Sequence, residues 1–148
     1  MFMEAFDDAA IHSRIARDNP WWAGERPQLP VTEKRRSYFE PFRHLSLNRE
    51  IRRATILLGP RRVGKTVMAL QLVEEALRQG TPPGRILYAS VDTPVYSGLA
   101  LERFLSFAPE PLEGGLVIFD EIQYLKDWER HLKDLVDSFP KTKFVASG

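Results

Sequence analysis

The sequence predicts an α/β fold, a mainly parallel sheet with helices on both faces, in the later two thirds of the chain. Three observations predict it. Short apolar runs at 54–58, 85–91, 116–119 and 143–146 alternate with helical patterns. The runs are almost continuously apolar rather than alternating, as strands buried on both faces are. A glycine-rich segment follows the first run directly, and sheets of this kind hold ligands beyond the carboxyl ends of their strands.

The chain of 148 residues is 43% hydrophobic and 28% charged, enough for one domain with a buried core. It has no cysteine, which excludes disulfides, cysteine-ligated zinc, iron–sulfur clusters and thiol catalysis. No apolar run approaches the roughly 18 residues a membrane span needs. The first ten residues carry acids where a signal peptide needs bases. The expectation is a cytoplasmic protein without a membrane partner. Net charge is +1, divided as +5 over residues 1–66 and −4 over 67–148. Such asymmetry suits a polyanion-binding face, and equally an ordinary surface plus a basic loop.

Composition changes near residue 53. Before it the chain is charged, aromatic and broken by Pro20, Pro27, Pro30 and Pro41. Residues 4–18 read as an amphipathic helix ended by Asn19-Pro20, and 34–47 as a second helix interrupted at Pro41. We therefore divide the chain into an N-terminal helical and irregular segment, 1–52, packing on a core, 53–148. In the core, Gly59-Pro60 closes the first strand. A largely buried helix follows over 65–79 and stops at Gly80 and Pro82-Pro83. The strand at 85–91 leads to a helix over 99–107. The strand at 116–119 leads to an amphipathic helix with Leu125, Trp128, Leu132, Leu135, Val136 and Phe139 on one face, ended by Pro140. The last strand is 143–146.

The glycine-rich segment is Gly59-Pro60-Arg61-Arg62-Val63-Gly64-Lys65-Thr66, a G-x-x-x-x-G-K-[ST] phosphate loop, or Walker A motif, standing between a strand and a helix as that motif requires. Glycines allow close backbone approach, inward N–H groups cradle phosphates, and the following helix points its positive end at them. Lys65 is the mobile cation for the outer phosphates, Thr66 offers its hydroxyl to Mg²⁺, and Val67 continues the nucleotide-binding stretch. The third strand ends in Asp120-Glu121. Asp120 suits a Walker B aspartate holding Mg²⁺, and Glu121 a general base for the attacking water. A GTPase would show D-x-x-G, but Gln123 stands at that glycine's place. Ser147, at the tip of the fourth strand, suits a sensor contacting the γ-phosphate or the water, or a solvated loop serine.

Other residues carry weaker signals. Trp21 and Trp22 suit adenine stacking, partner docking or satellite core, the last being commoner for large aromatics. Arg61 and Arg62 reach phosphate, a neighbouring subunit or solvent. Lys34-Arg35-Arg36 with Tyr38 and Phe39 mixes basic and aromatic residues, as nucleic-acid surfaces do, and so does a helix with a buried aromatic stripe. His12, His44 and His131 have no metal-ligand spacing.

The 59–66 loop, Val117-Ile118-Phe119-Asp120-Glu121-Ile122-Gln123 with Trp128, and Phe144-Val145-Ala146-Ser147-Gly148 together resemble prokaryotic AAA-type ATPases. Asn19-Pro20-Trp21-Trp22 looks like the N-terminal segment of that group. The resemblance implies a P-loop NTPase of the RecA-like, ASCE type: a three-layer αβα sandwich whose fourth strand lies between those bearing Walker A and Walker B. It implies ATP and Mg²⁺ as ligands, and assembly into homo-oligomers. Relatives continue beyond the sensor-1 strand with a fifth strand, a helical lid, an arginine finger and a C-terminal domain of poorly known function. The resemblance thus implies an N-terminal fragment whose first strand is near a sheet edge. The leading expectation is the ATP-binding core of an ATPase, with Lys65, Glu121 and Ser147 catalytic. A nucleotide-controlled binding module with little turnover is the alternative. A DExx-type nucleic-acid motor is the second alternative, although its loop would not start at glycine. A small-molecule kinase is more distant still.

Overall fold

A computed structural model describes residues 7–27, 29, 39–58 and 64–148. The first residues of the helix expected from residue 4, the basic run at 34–36 with Tyr38, and loop residues Gly59, Pro60, Arg61, Arg62 and Val63 lie outside the described residues. In chain order the elements are α1 (Asp8–Asp18), a 3-10 turn (Pro20–Ala23), α2 (Phe39–Leu47), β1 (Thr55–Leu57), α3 (Lys65–Arg78), β2 (Ile86–Ser90), α4 (Leu101–Leu105), β3 (Leu116–Asp120), α5 (Trp128–Ser138) and β4 (Lys143–Ser147).

The four strands form one parallel sheet in the order β1-β4-β3-β2. The fourth strand therefore sits between the strand that precedes the 59–66 segment and the strand that ends in Asp120. The sheet is the middle layer of three. One face, with Leu87, Ala89, Val117, Phe119, Phe144 and Ala146, packs on Ile11 and Ile15 of α1, Leu101 and Phe104 of α4, and Leu132 and Leu135 of α5. The other, with Ile86, Tyr88, Leu116, Ile118 and Val145, packs on Phe39 and Phe42 of α2 and on Met68, Leu72 and Val73 of α3. Strand residues alternate between the two clusters, as a period of two requires.

Several boundaries differ from the sequence expectation, each for a local reason. Pro41 does not interrupt α2. It sits in the first turn, where its missing N–H would have had no helical partner anyway. α4 covers only the middle of 99–107, because the N–H groups of Leu99 and Phe107 bond three residues back, to Tyr96 and Phe104. α5 begins at Trp128 rather than Leu125. Asp127 adopts φ 58°, a left-handed conformation that separates a 3-10 turn (Ile122–Tyr124) from the helix. At the start of β3, a side chain on Gly115 would collide with the Arg85 carbonyl oxygen, so only glycine fits there.

The two edges of the sheet differ. At β2, side chains take the place of a further strand. The Tyr88 N–H donates to Asn19 Oδ1 at 2.7 Å, and Asn19 Nδ2 donates to the carbonyls of Tyr88 (2.8 Å) and Ile15 (2.7 Å). Both indoles donate to the Ile86 carbonyl, Trp21 at 2.9 Å and Trp22 at 2.8 Å. Trp21 is buried, in the core of the α3 face. These bonds account for both tryptophans within the fold. At the other edge, among the described residues, β1 pairs only with β4, and Ile56 and Leu58 are exposed.

Candidate functional site

The register of the sheet brings the expected residues to one level. Ser90 is opposite Asp120, and Leu57 is opposite Ser147. These are the carboxyl tips of the strands, and β1 leaves the sheet there. The chain returns at Gly64, whose φ of 82° favours glycine, and α3 starts at Lys65 without a side-chain cap. Lys65 is buried at this first position, and Thr66 follows it at the surface. Val67 is half-buried within α3.

Asp120 is the centre of the site. It is 2% exposed and accepts four hydrogen bonds. Oδ2 accepts from the Thr66 hydroxyl at 2.6 Å and from the Tyr88 hydroxyl at 2.7 Å. Oδ1 accepts from the Ser147 hydroxyl and from the Glu121 N–H at 3.1 Å. Four donors match the four lone-pair positions of a carboxylate, so burying Asp120 leaves it fully partnered.

Glu121 lies in the left-handed region at φ 55°, a conformation that costs a non-glycine residue about 1–3 kcal/mol. It accepts from Gln123 Nε2 at 2.6 Å. Thus the structure brings Thr66, Asp120, Glu121 and Ser147 together at the end of α3 that Lys65 begins. Ser147 is buried and directed at Asp120, not solvated as a loop serine would be.

Tyr88 is the residue that sequence reasoning missed. Burial first, then the Asp120 charge, push its phenol well above the ordinary tyrosine value, so it remains a donor to that carboxylate. One signal was available, since a phenol inside an otherwise buried strand needs a partner. Which partner it finds depends on the β2–β3 register.

Magnesium demands hard oxygen ligands and keeps several waters, binding through one or two carboxylates and substrate phosphates. The Asp120 carboxylate and the Thr66 hydroxyl, in contact at 2.6 Å, fit that donor set. Among the described residues there is no group of three or more His, Cys, Asp or Glu that suits a metal, and no helix long and apolar enough to cross a membrane.

A family model described as AAA domain matches residues 51–148, about two thirds of the chain. No curated protein matches. With its parallel sheet, its 1-4-3-2 strand order and this match, the chain belongs to the AAA-domain family of ATPase-like nucleotide-binding modules.

Proposed function

We propose that this chain binds ATP on the 59–66 loop and hydrolyses it. The observation that carries the reading is the 2.6 Å contact of Thr66, at the start of α3, with Asp120, at the tip of β3. A P-loop and a Walker B acid act as a unit only when they meet.

In this reading the loop N–H groups hold the phosphates, and the Lys65 ammonium takes up charge on the outer ones. Thr66 and Asp120 would hold Mg²⁺, which when bound neutralises charge on the β- and γ-phosphates. Glu121 accepts a proton from water as its oxygen bonds to the γ-phosphorus and the bond to the β-phosphate oxygen breaks, releasing ADP. Ser147 and Tyr88 hold Asp120 in place. Residues 53–148 form the nucleotide core, and 1–52 pack on it. Assembly of several copies belongs to the same reading, as an expectation from the family.

A second reading, a nucleotide-controlled module with little turnover, is favoured by one contact. The Gln123 amide donates to one oxygen of the Glu121 carboxylate, which leaves that carboxylate less acceptor capacity for an attacking water.

Calorimetry with Mg-ATP against parent and Lys65→Ala tests the binding, and phosphate release tests the chemistry. Binding should be lost in Lys65→Ala. In Glu121→Gln binding should persist while turnover falls by about 10²–10⁴-fold. Unchanged ATP affinity in Lys65→Ala would refute the site. Equal, low phosphate release from parent and Glu121→Gln would leave the module reading in its place.

A further inference from the structure

At the other end of the sheet, where the strands begin, there is a second concentration of charge. A cavity of about 690 Å³ opens there, lined by Arg49, Arg52, Arg85, Lys141, Lys143 and Glu113 among others. That volume is in the range of small-ligand sites. The five residues of β3 separate it from Asp120, roughly 15 Å along the strand.

The cations reach this place from separate parts of the chain. Arg49 follows α2, Arg52 precedes β1, Arg85 precedes β2, and Lys141 and Lys143 flank the start of β4. Lys143 is 5% exposed, and among the described residues its ammonium donates to the Ile51 carbonyl alone, at 2.6 Å. The Arg49 guanidinium donates to the carbonyls of Gly115, at 3.0 Å, and Gly114. Among the described residues neither cation has a carboxylate partner. The Arg49 charge also acts on Lys143. Burial, then the Arg49 charge, lower the Lys143 pKa, and burial lowers that of Arg49. A desolvated cation held by neutral carbonyls beside a like charge is costly until an anion joins it.

The nearby acids are already engaged. Glu113 pairs with Lys141 at 3.2 Å and Glu110 with Arg85 at 3.4 Å, both at the surface. Among the described residues that leaves three more cations than carboxylates around the cavity. Arg49 uses two of its five donors on the glycine carbonyls and Lys143 one of its three, so both present further N–H groups already fixed in direction.

We propose that this cavity is a phosphate site separate from the 59–66 loop, with Lys143 and Arg49 fixed at its wall and Arg52, Arg85 and Lys141 closing on the oxyanion of a phosphate ester or polyphosphate. Guanidinium forks match phosphate oxygens in pairs, and an ammonium adds a point charge. A free polyphosphate and the backbone of a single-stranded nucleic acid present the same chemistry.

The test uses the full chain with two probes, inorganic pyrophosphate by calorimetry and a fluorescent twelve-residue oligothymidylate by anisotropy. The rim variant Arg52→Ala/Lys141→Ala changes exposed side chains only, and its melting midpoint checks the fold. Lys65→Ala serves as the phosphate-loop control. At least one probe should bind the parent, about tenfold or more weaker in the rim variant, and without dependence on Lys65. Pyrophosphate alone would identify a free anion as the source. The oligonucleotide binding more tightly, with a salt slope that shrinks by about 0.7 for each cation removed, would identify a nucleic-acid backbone. Binding of neither probe, or binding that Lys65→Ala abolishes and the rim variant leaves intact, would overturn the proposal.

Discussion

Two buried tyrosines respond oppositely to the same substitution. Tyr88 donates to Asp120, and hydrogen bonds to charged groups contribute about 1.5–3 kcal/mol. Tyr88→Phe should therefore destabilise the chain by about 2 kcal/mol in urea unfolding. The Tyr96 hydroxyl is buried with no hydrogen-bond partner among the described residues. Tyr96→Phe removes an unsatisfied group and should raise stability by about 1 kcal/mol. Burial also raises the Tyr96 pKa. The unfolded tyrosine loses its proton near pH 10, while the folded one keeps it. Above about pH 10 the folded state thus binds more protons, and stability falls with pH by up to about 1.4 kcal/mol per unit for this group. The advantage of Tyr96→Phe over the parent should widen there, as unfolding curves at pH 9 and pH 11 would reveal. At this scale the sequence singled out Thr66, Asp120 and Glu121 by their motifs and left Ser147 open between a sensor and a solvated loop serine, and the structure brings the four residues together. The sequence did not display Tyr88, because its bond to Asp120 depends on pairing between strands some 30 residues apart, and one-residue slippage would turn the phenol to the opposite face.

Elements were legible where the pattern was strong and the chain short of alternatives. The four strands and α3 follow directly from apolar runs and glycine or proline stops. The start of α5 was not legible. Leu125 continues the apolar stripe, but Asp127 breaks the helix by a backbone conformation that hydrophobic period cannot register. The Asn19 amide was also hidden. Read locally, Asn19-Pro20 is a helix stop. In the fold it ends α1 and also substitutes for a strand, bonding N–H and C=O of Tyr88. Asn19→Ala leaves buried backbone groups of β2 unpartnered and should cost about 2–4 kcal/mol. Asn19→Asp retains the acceptor but sets a buried carboxylate oxygen against the Tyr88 and Ile15 carbonyls, and should cost at least as much as Asn19→Ala. Amide exchange at Tyr88 would report the change directly, since its N–H should exchange faster in Asn19→Ala than those of Leu116 to Asp120 in β3.

For the whole molecule, nucleotide binding and stability are linked. Mg-ATP at 100 times its dissociation constant should stabilise the parent by about 2.7 kcal/mol and leave Lys65→Ala unmoved in a thermal melt. The architecture as a whole was legible because apolar strands alternating with helices admit few arrangements, and a glycine-rich loop after the first strand points to the end of the sheet where a ligand is expected. The basic cavity at the opposite end was not. Its residues are scattered from Arg49 to Lys143, and no local spacing announces them.

The asymmetry of the sheet's two margins bears on how copies of this molecule can meet. A strand edge is an invitation to self-association. With Asn19, Trp21 and Trp22 seated on β2, the molecule resembles a monofunctional monomer in polymer chemistry. Among the described residues the strand margin left uncovered is that of β1, so edge-to-edge contact between copies would run through β1 rather than β2. Chain growth needs two functional ends, and the Asn19 amide with the two indoles caps one of them.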